Sequence, residues 1–235
     1  MQSFRNARYN GAMIGIVDYN AGNIKSVERA LDFLGAKYVL SKNPADLAKV
    51  DRVIFPGDGE AAYAMRELVM TGYDTFLREW AAAKKPLLGI CIGAQIIFDK
   101  SEEGGSFENG AQSYTQCLGL IPGTIRHFSR LWLERDLDPD DNSRKVPHMG
   151  WNDVHYAGSC PILKGVPEGS DFYFVHSYVI QPDDPSVIKG YANYGTMVPS
   201  VIQSENVYAC QFHPEKSGKA GLQIIKNFVE GDLRC

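Results

Sequence analysis

Residues 86–98 read Pro86-Leu87-Leu88-Gly89-Ile90-Cys91-Ile92-Gly93-Ala94-Gln95-Ile96-Ile97-Phe98, and the fold follows from them. The apolar run over 86–90 predicts a buried strand, and the residues after Cys91 predict a helix through Phe98. Between the two, Gly89-Ile90-Cys91-Ile92-Gly93 repeats the G-x-S-x-G elbow with cysteine in place of serine. Small residues on both sides let neighbouring chain approach a sharp turn. That turn presents the sulfur at the carboxyl edge of a sheet, where α/β proteins bind ligands. The helix N-terminus there favours thiolate over thiol through its free N–H groups and dipole. A cysteine between glycines is more often a packing device than a nucleophile. The strand-turn-helix context tips the balance toward chemistry.

Outward toward the N-terminus, strands and helices alternate. An apolar run over 13–17 predicts a strand ending at Asp18. Ile24, Val27, Leu31 and Leu34 then recur at helical spacing, with Gly35 as the C-terminal cap. A second strand is predicted over 38–40, Asn43-Pro44 offers a helix start, and a third strand covers 52–55. Pro56-Gly57-Asp58-Gly59 breaks it, a helix follows through Leu68, and another helical stretch spans 76–83. Alternation of this kind predicts a parallel sheet covered on both faces. After Gly119 short strands follow one another near 124–125, 154–155, 172–175, 187–191, 200–202 and 207–212, and a last helix spans 218–229. The expected fold is therefore α/β in a single domain. It has a central, mostly parallel sheet flanked by helices and an additional mixed or antiparallel region in the C-terminal half. Residues 1–12 form a flexible extension and 13–235 the domain.

Two segments, 104–116 and 136–144, are polar or charged and predict surface insertions. Asp136-x-Asp138-x-Asp140 has the spacing of a calcium loop. Asp141 stands where the turn glycine belongs, however, and Pro147 where the bidentate glutamate belongs, so a solvated loop is expected.

Composition narrows the function. The 235 residues are 44% hydrophobic and 22% charged with a net charge of −4, which suits a folded globular protein. It gives no electrostatic reason to expect nucleic acid or an anionic membrane. No apolar run is long enough to span a bilayer, and the first residues lack the apolar core of a signal peptide. The 5 cysteines (Cys91, Cys117, Cys160, Cys210 and Cys235) are scattered, without a C-x-x-C pair. They fit a reducing cytoplasm and predict neither zinc nor a redox pair. No metal or cofactor is expected.

A cysteine nucleophile needs a base, and the base needs an orienting group. His213 follows the apolar strand over 207–212 and precedes Pro214-Glu215, just before the last helix. A carboxylate two residues away can hold the imidazole in one tautomer. Singly, His213 is an ordinary turn histidine and Glu215 a carboxylate near a helix start. Together with the elbow they make a candidate Cys-His-Glu triad.

With Gln211-Phe212-His213-Pro214-Glu215 added to 89–95, the chain resembles the class I (triad) glutamine amidotransferases. Asp18-Tyr19-Asn20-Ala21-Gly22-Asn23, Pro147-His148-Met149-Gly150-Trp151-Asn152, Phe174-Val175-His176-Ser177-Tyr178 and Glu215-Lys216-Ser217 narrow the resemblance. They point to the glutaminase subunits of imidazole glycerol phosphate synthase, over about 13–228. The resemblance implies that Cys91 attacks the glutamine side-chain amide, His213 is the general acid and base, and Glu215 orients it. It assigns the oxyanion to backbone N–H groups of Gly57, Asp58, Gly59 and Ile92, and the glutamine contacts to Gln95, Glu103, Ser177 and Tyr178. It further implies, as partner, a separate (β/α)8-barrel cyclase that receives ammonia through a closed route in histidine biosynthesis. Asn20, Asn23 and Trp151 would lie at or near the docking surface. Read blandly, Gln95 and Glu103 are a solvated helix face and loop, the asparagines make loop hydrogen bonds and Trp151 is core. One residue departs from the family pattern: Asp58 stands where a valine is usual. A carboxylate beside a developing oxyanion is unfavourable, so Asp58 is expected to face solvent or the partner, with docking rearranging the loop. The rival readings are a glutaminase of the vitamin B6 type, a stand-alone cysteine hydrolase, and a non-catalytic regulatory chain.

Overall fold

The computed structural model describes residues 11–20, 24–108, 111–135, 137 and 145–233. Asn23, residues 1–10 of the expected 1–12 extension, most of the 136–144 loop and Cys235 lie outside the described residues. The predicted strands and helices of the first half are all present: β1 Ile14–Val17, α1 Ile24–Leu34, β2 Tyr38–Ser41, β3 Arg52–Phe55, α2 Ala61–Thr71, α3 Tyr73–Ala82, β4 Leu87–Ile90 and α4 Ile92–Ile96. Helix α1 ends as its sequence dictates. Gly35 adopts φ 70°, and the Ala36 amide reaches back to the Leu31 carbonyl at 3.0 Å, the bonding of a glycine-terminated helix. Asn43 caps only a short 3-10 turn, Pro44–Leu47, its side chain accepting from the Ala45 amide.

The second half adds β5 Lys100–Ser101, β6 Phe107–Glu108, β7 Ala111–Gln112, β8 Thr115–Gln116, β9 Gly123–His127, α5 Phe128–Leu133, β10 His148–Tyr156 and β11 Ser170–His176. It closes with β12 Tyr178–Pro182, β13 Ile188–Asn193, β14 Met197–Ser204, β15 Val207–Cys210 and α6 Gly218–Glu230. One sheet of 9 strands runs β11-β10-β13-β14-β15-β4-β3-β1-β2. The pairs from β15 to β2 are parallel, and those from β15 back to β11 are antiparallel. The expected parallel and antiparallel regions are thus two halves of one continuous sheet. A second sheet of 4 strands, β12-β9-β5-β8, lies beside it.

Central strands are apolar at every position because both faces are covered. In β3, Val53 and Phe55 enter the core under α2 and α3, while Ile54 enters the core under α1 and α6. In β15, Val207 and Ala209 face the first core and Tyr208 and Cys210 the second.

Three expectations need correction. Helix α4 stops at Ile96 rather than Phe98, because the Ile96 and Ile97 carbonyls turn outward to accept the amides of Leu118, Leu120 and Ile121. The 104–116 segment is more than a solvated insertion: β6 and β7 form a hairpin, and β8 pairs with β5 in the second sheet. Finally, β12 and α5 had no predicted counterpart. Only Ser177 separates β12 from β11, so the two read as one apolar run, and α5 is too short to show a period.

Candidate active site

Strand β4 enters α4 through Cys91, whose backbone sits at φ 54°, ψ −106°. A non-glycine residue in that region is strained and persists only where its surroundings enforce it. Here both glycines of the elbow are needed for close approach. A Cβ on Gly93 would lie 2.1 Å from the Phe55 carbonyl oxygen, and one on Gly89 would lie 2.7 Å from the Gly93 carbonyl oxygen. The Cys91 amide donates to the Cys210 carbonyl at 2.9 Å, so the β4–β15 ladder runs right up to the turn. The Cys91 side chain is 7% exposed, and its sulfur lies 3.8 Å from the Val175 carbonyl oxygen.

Because β15 is parallel to β4 and adjacent to it, the two chains leave the sheet at the same edge. This brings His213 to Cys91. The His213 amide is held by the Tyr173 carbonyl at 3.0 Å. Its Nδ1–H donates to Glu215 Oε1 at 2.8 Å, and both side chains are 2% exposed. Nε2 is buried and has no protein hydrogen-bond partner. Burial alone would lower the His213 pKa, but Cys91 and Glu215 outweigh it and raise the value to about 10. The direction of that shift favours the charged imidazole, with Nε2 bonded to no other protein group. Ser217 braces the His213 turn: its hydroxyl donates to the His213 carbonyl at 2.6 Å and accepts the Tyr173 amide at 3.0 Å. The Glu215-Lys216-Ser217 motif carries no local signal of that task.

Next to the elbow runs the loop after β3. A Cβ on Gly57 would meet the Ile92 side chain at 2.0 Å and the Tyr19 hydroxyl at 2.4 Å. The loop thus lies directly on the N-terminus of α4. Among the described residues the Gly57, Asp58 and Gly59 amides donate to no protein acceptor, and the Ile92 amide opens the helix. Asp58 is exposed, as expected for a carboxylate kept off an anion site. Tyr19 was missed: it is fully buried, its hydroxyl lacks a partner, and burial together with Asp58 and Cys91 pushes its pKa up.

Gln95 is 3% exposed, which removes the reading of a solvated helix face. Its Nε2 donates to the Tyr178 carbonyl at 3.1 Å and to Gln211 Oε1 at 2.9 Å. Glu103 is half-buried and its Oε2 accepts the Ala61 amide at 2.8 Å, capping α2 just past the Gly57–Gly59 turn. Ser177 and Tyr178 are partly buried where β11 passes into β12, and the Ser177 carbonyl accepts the Phe128 amide at 3.2 Å. Farther out, Asn20 is exposed and bonded to Glu67 and Lys42. Trp151 is 59% exposed, with Met149 at 62%, so Trp151 is not a core residue. Among the described residues no group of acidic, histidine and cysteine side chains could hold a metal ion, and no helix is long and apolar enough to cross a membrane.

Comparison with known proteins gives the chain a family. The family model for class I glutamine amidotransferases matches residues 15–231. Imidazole glycerol phosphate synthase subunit HisH of Nitratidesulfovibrio vulgaris is 44% identical over 92% of this chain and 95% of its own length. The chain is a class I glutamine amidotransferase of the HisH family. HisH of Thiobacillus denitrificans is 42% identical, covering 92% of this chain and 90% of its own. HisH 1 of Methanococcus maripaludis is 39% identical, covering 93% and 99%. Among solved structures, a glutamine amidotransferase superposes with TM-score 0.64 at 17% identity, covering 92% of this chain and 98% of that one. PurLQS from Thermotoga maritima gives 0.66 at 16% identity, covering 93% and 97%. At that distance the two structures share the fold with this HisH chain.

Proposed function

We propose that this chain is the glutaminase subunit of an imidazole glycerol phosphate synthase and hydrolyses glutamine at Cys91. The observation that carries the reading is the buried, partnerless Nε2 of His213 at the elbow cysteine, its other nitrogen fixed by Glu215. The Cys91 sulfur adds to the side-chain amide carbon of glutamine. The C–N bond breaks as the nitrogen takes the His213 proton, releasing ammonia and a γ-glutamyl thioester. Water then loses a proton to His213 and adds to the thioester; the C–S bond breaks, giving glutamate and free Cys91. In each half the oxyanion would sit against the amides of Ile92 and of the Gly57-Asp58-Gly59 loop. Loss of one such donor typically costs about 3 kcal/mol of barrier. Gln95, Glu103, Ser177 and Tyr178 would line the pocket for the amino acid end of glutamine.

Ammonia released into water at neutral pH is protonated and stops being a nucleophile, so a closed route to a second enzyme is required. The partner in this reading is a (β/α)8-barrel cyclase. It would dock against Asn20 and against the exposed Met149 and Trp151 of β10, and Asn23 belongs to the same expectation. Asp58 is an exposed member of the oxyanion loop, so docking can reorganise that loop and switch hydrolysis on.

The test is labelled glutamine with the chain alone and with its cyclase partner. Labelled glutamate should form much faster in the complex, and Cys91→Ala should abolish it. Equal rates with and without partner would remove the switching part. Undiminished hydrolysis by Cys91→Ala would overturn the whole reading.

A further inference from the structure

Two histidines that the triad does not use lie buried behind the pocket. His148 is 3% and His176 6% exposed; they face each other across the β10–β11 ladder with His148 Nδ1 and His176 Nε2 3.0 Å apart. His176 Nδ1 lies 2.7 Å from the Tyr178 carbonyl, and His148 Nε2 lies 3.2 Å from the Asn152 amide nitrogen. A carbonyl only accepts, so His176 carries its proton on Nδ1 and its Nε2 accepts. His148 must then donate from Nδ1, which leaves its Nε2 to accept from Asn152. Asn152 is fixed in turn, giving its second amide hydrogen to the Asn193 carbonyl at 3.1 Å and accepting the Asp153 amide at 3.0 Å. Every polar contact is met with one proton on each ring. The His148 ring is also clamped, stacked between Phe174 and Tyr194 at centroid distances of 4.6 and 4.1 Å.

The other end of this chain of bonds enters the pocket. The Tyr178 carbonyl that His176 holds is the one that receives Gln95 Nε2. With its second amide hydrogen on Gln211, Gln95 has no hydrogen left to give. Its Oε1 accepts nothing among the described residues and is not one of the fully buried unpaired atoms, so it is available as an acceptor. A free amino acid presents a cation, its α-ammonium, that such an oxygen can receive.

We propose that His148 and His176 are positioning residues: a buried, single-tautomer relay that fixes the Tyr178 carbonyl and thereby aims Gln95 Oε1 at the ammonium of bound glutamine. Its far end, Asn152, adjoins the exposed Trp151 on β10, so the relay also ties pocket geometry to that surface. The inference rests on the glutamine-pocket reading given above, and its test separates the two.

In the wild-type full chain, nitrogen-15 imidazole spectra should show both rings neutral and protonated on Nδ1. An Nε2-protonated His176 overturns the relay without recourse to any variant. In the complex with the cyclase, His148→Phe keeps the stacked shape but deletes the donor. It should raise the KM for glutamine roughly three- to tenfold, the worth of one net hydrogen bond, with kcat within about twofold. His148→Asn, whose amide can replace Nδ1–H, should recover most of that loss. A His148→Phe enzyme with unchanged KM, or an unrecovered His148→Asn enzyme, overturns the relay. Gln95→Ala is the control for the pocket itself. If it raises KM while His148→Phe does not, the relay alone fails; if it leaves KM unchanged, the pocket reading fails and the relay with it. The double variant should be no worse than Gln95→Ala, because both changes remove the same contact. Full additivity would count against the proposal.

Discussion

Glu103 shows how much one side chain's setting controls. Its carboxylate caps the Ala61 amide and its own carbonyl accepts the Thr115 hydroxyl at 2.7 Å, so it joins α2 to β8. Burial raises its pKa, the Ala61 N–H pulls it back, nearby Glu60 adds to the rise, and the result is about 7. If Glu103 helps receive a cationic substrate end, it does so only when ionised. The KM for glutamine should therefore climb as pH falls through about 7. In Glu103→Gln that limb should vanish, leaving KM flat and close to the wild-type acid value. A limb that survives in Glu103→Gln would belong to another group. The proposed triad could be read as a candidate because each member sits in a short run whose chemistry is local: Cys91 between its glycines, His213 two residues from Glu215. Ser217, Tyr19 and the His148–His176 pair were not, because their tasks depend on partners far along the chain. His148 meets His176 only after β10 and β11 pair, and no spacing in the sequence records that.

At the scale of elements, the strands that carry the site were legible because burial on both faces makes their sequences apolar throughout. Helices α1 and α6 were legible from their helical spacing. What the pattern could not give was β12, fused in sequence with β11, or α5, shorter than two turns. The order of strands was also hidden: that β15 lies beside β4, which is what unites His213 and Cys91, is a tertiary fact. Helix α6 itself is fastened by one residue of β3. The Arg52 guanidinium donates to the Phe228 carbonyl and, at 2.9 Å, to the Gly231 carbonyl. A cation there answers the unpaired carbonyls and negative dipole end of the helix. Arg52→Met keeps the aliphatic stem and removes those bonds. It should cost about 1–3 kcal/mol, seen as a lower urea midpoint at constant m-value. A variant as stable as wild type would mean that water replaces the guanidinium without loss.

For the whole molecule, buried groups with opposed shifts should give stability a pH dependence of predictable sign. Burial lowers the pKa of His148 to about 4, and burial with the neighbouring His148 lowers that of His176 to about 3. The ordinary value is about 6.5. Below that ordinary value the unfolded chain takes up two protons that the folded chain refuses, so each histidine makes stability fall as pH falls, by up to about 1.4 kcal/mol per unit. Glu103 acts oppositely: with its pKa raised to about 7, the folded chain binds a proton before the unfolded one does, so stability rises as pH falls from about 7 toward the usual carboxylate range. His213, raised to about 10, is protonated in both states below 6.5 and adds no slope there; its contribution is lost only as pH climbs toward about 10. The two buried histidines, with half-buried His127 lowered in the same sense by burial, act against one glutamate and leave a net loss of stability on acidification from pH 6.5 to about 5, before most exposed carboxylates titrate. Urea denaturation at half-unit steps across that window should show the wild type weakening. The slope should steepen in Glu103→Gln, which removes the opposing group, and flatten in His148→Phe, which removes one of the two histidines. A wild type whose midpoint is flat or rises on acidification would mean that the histidine pair opens to water and titrates freely, so that the packing of Phe174 and Tyr194 around His148 does not hold it neutral.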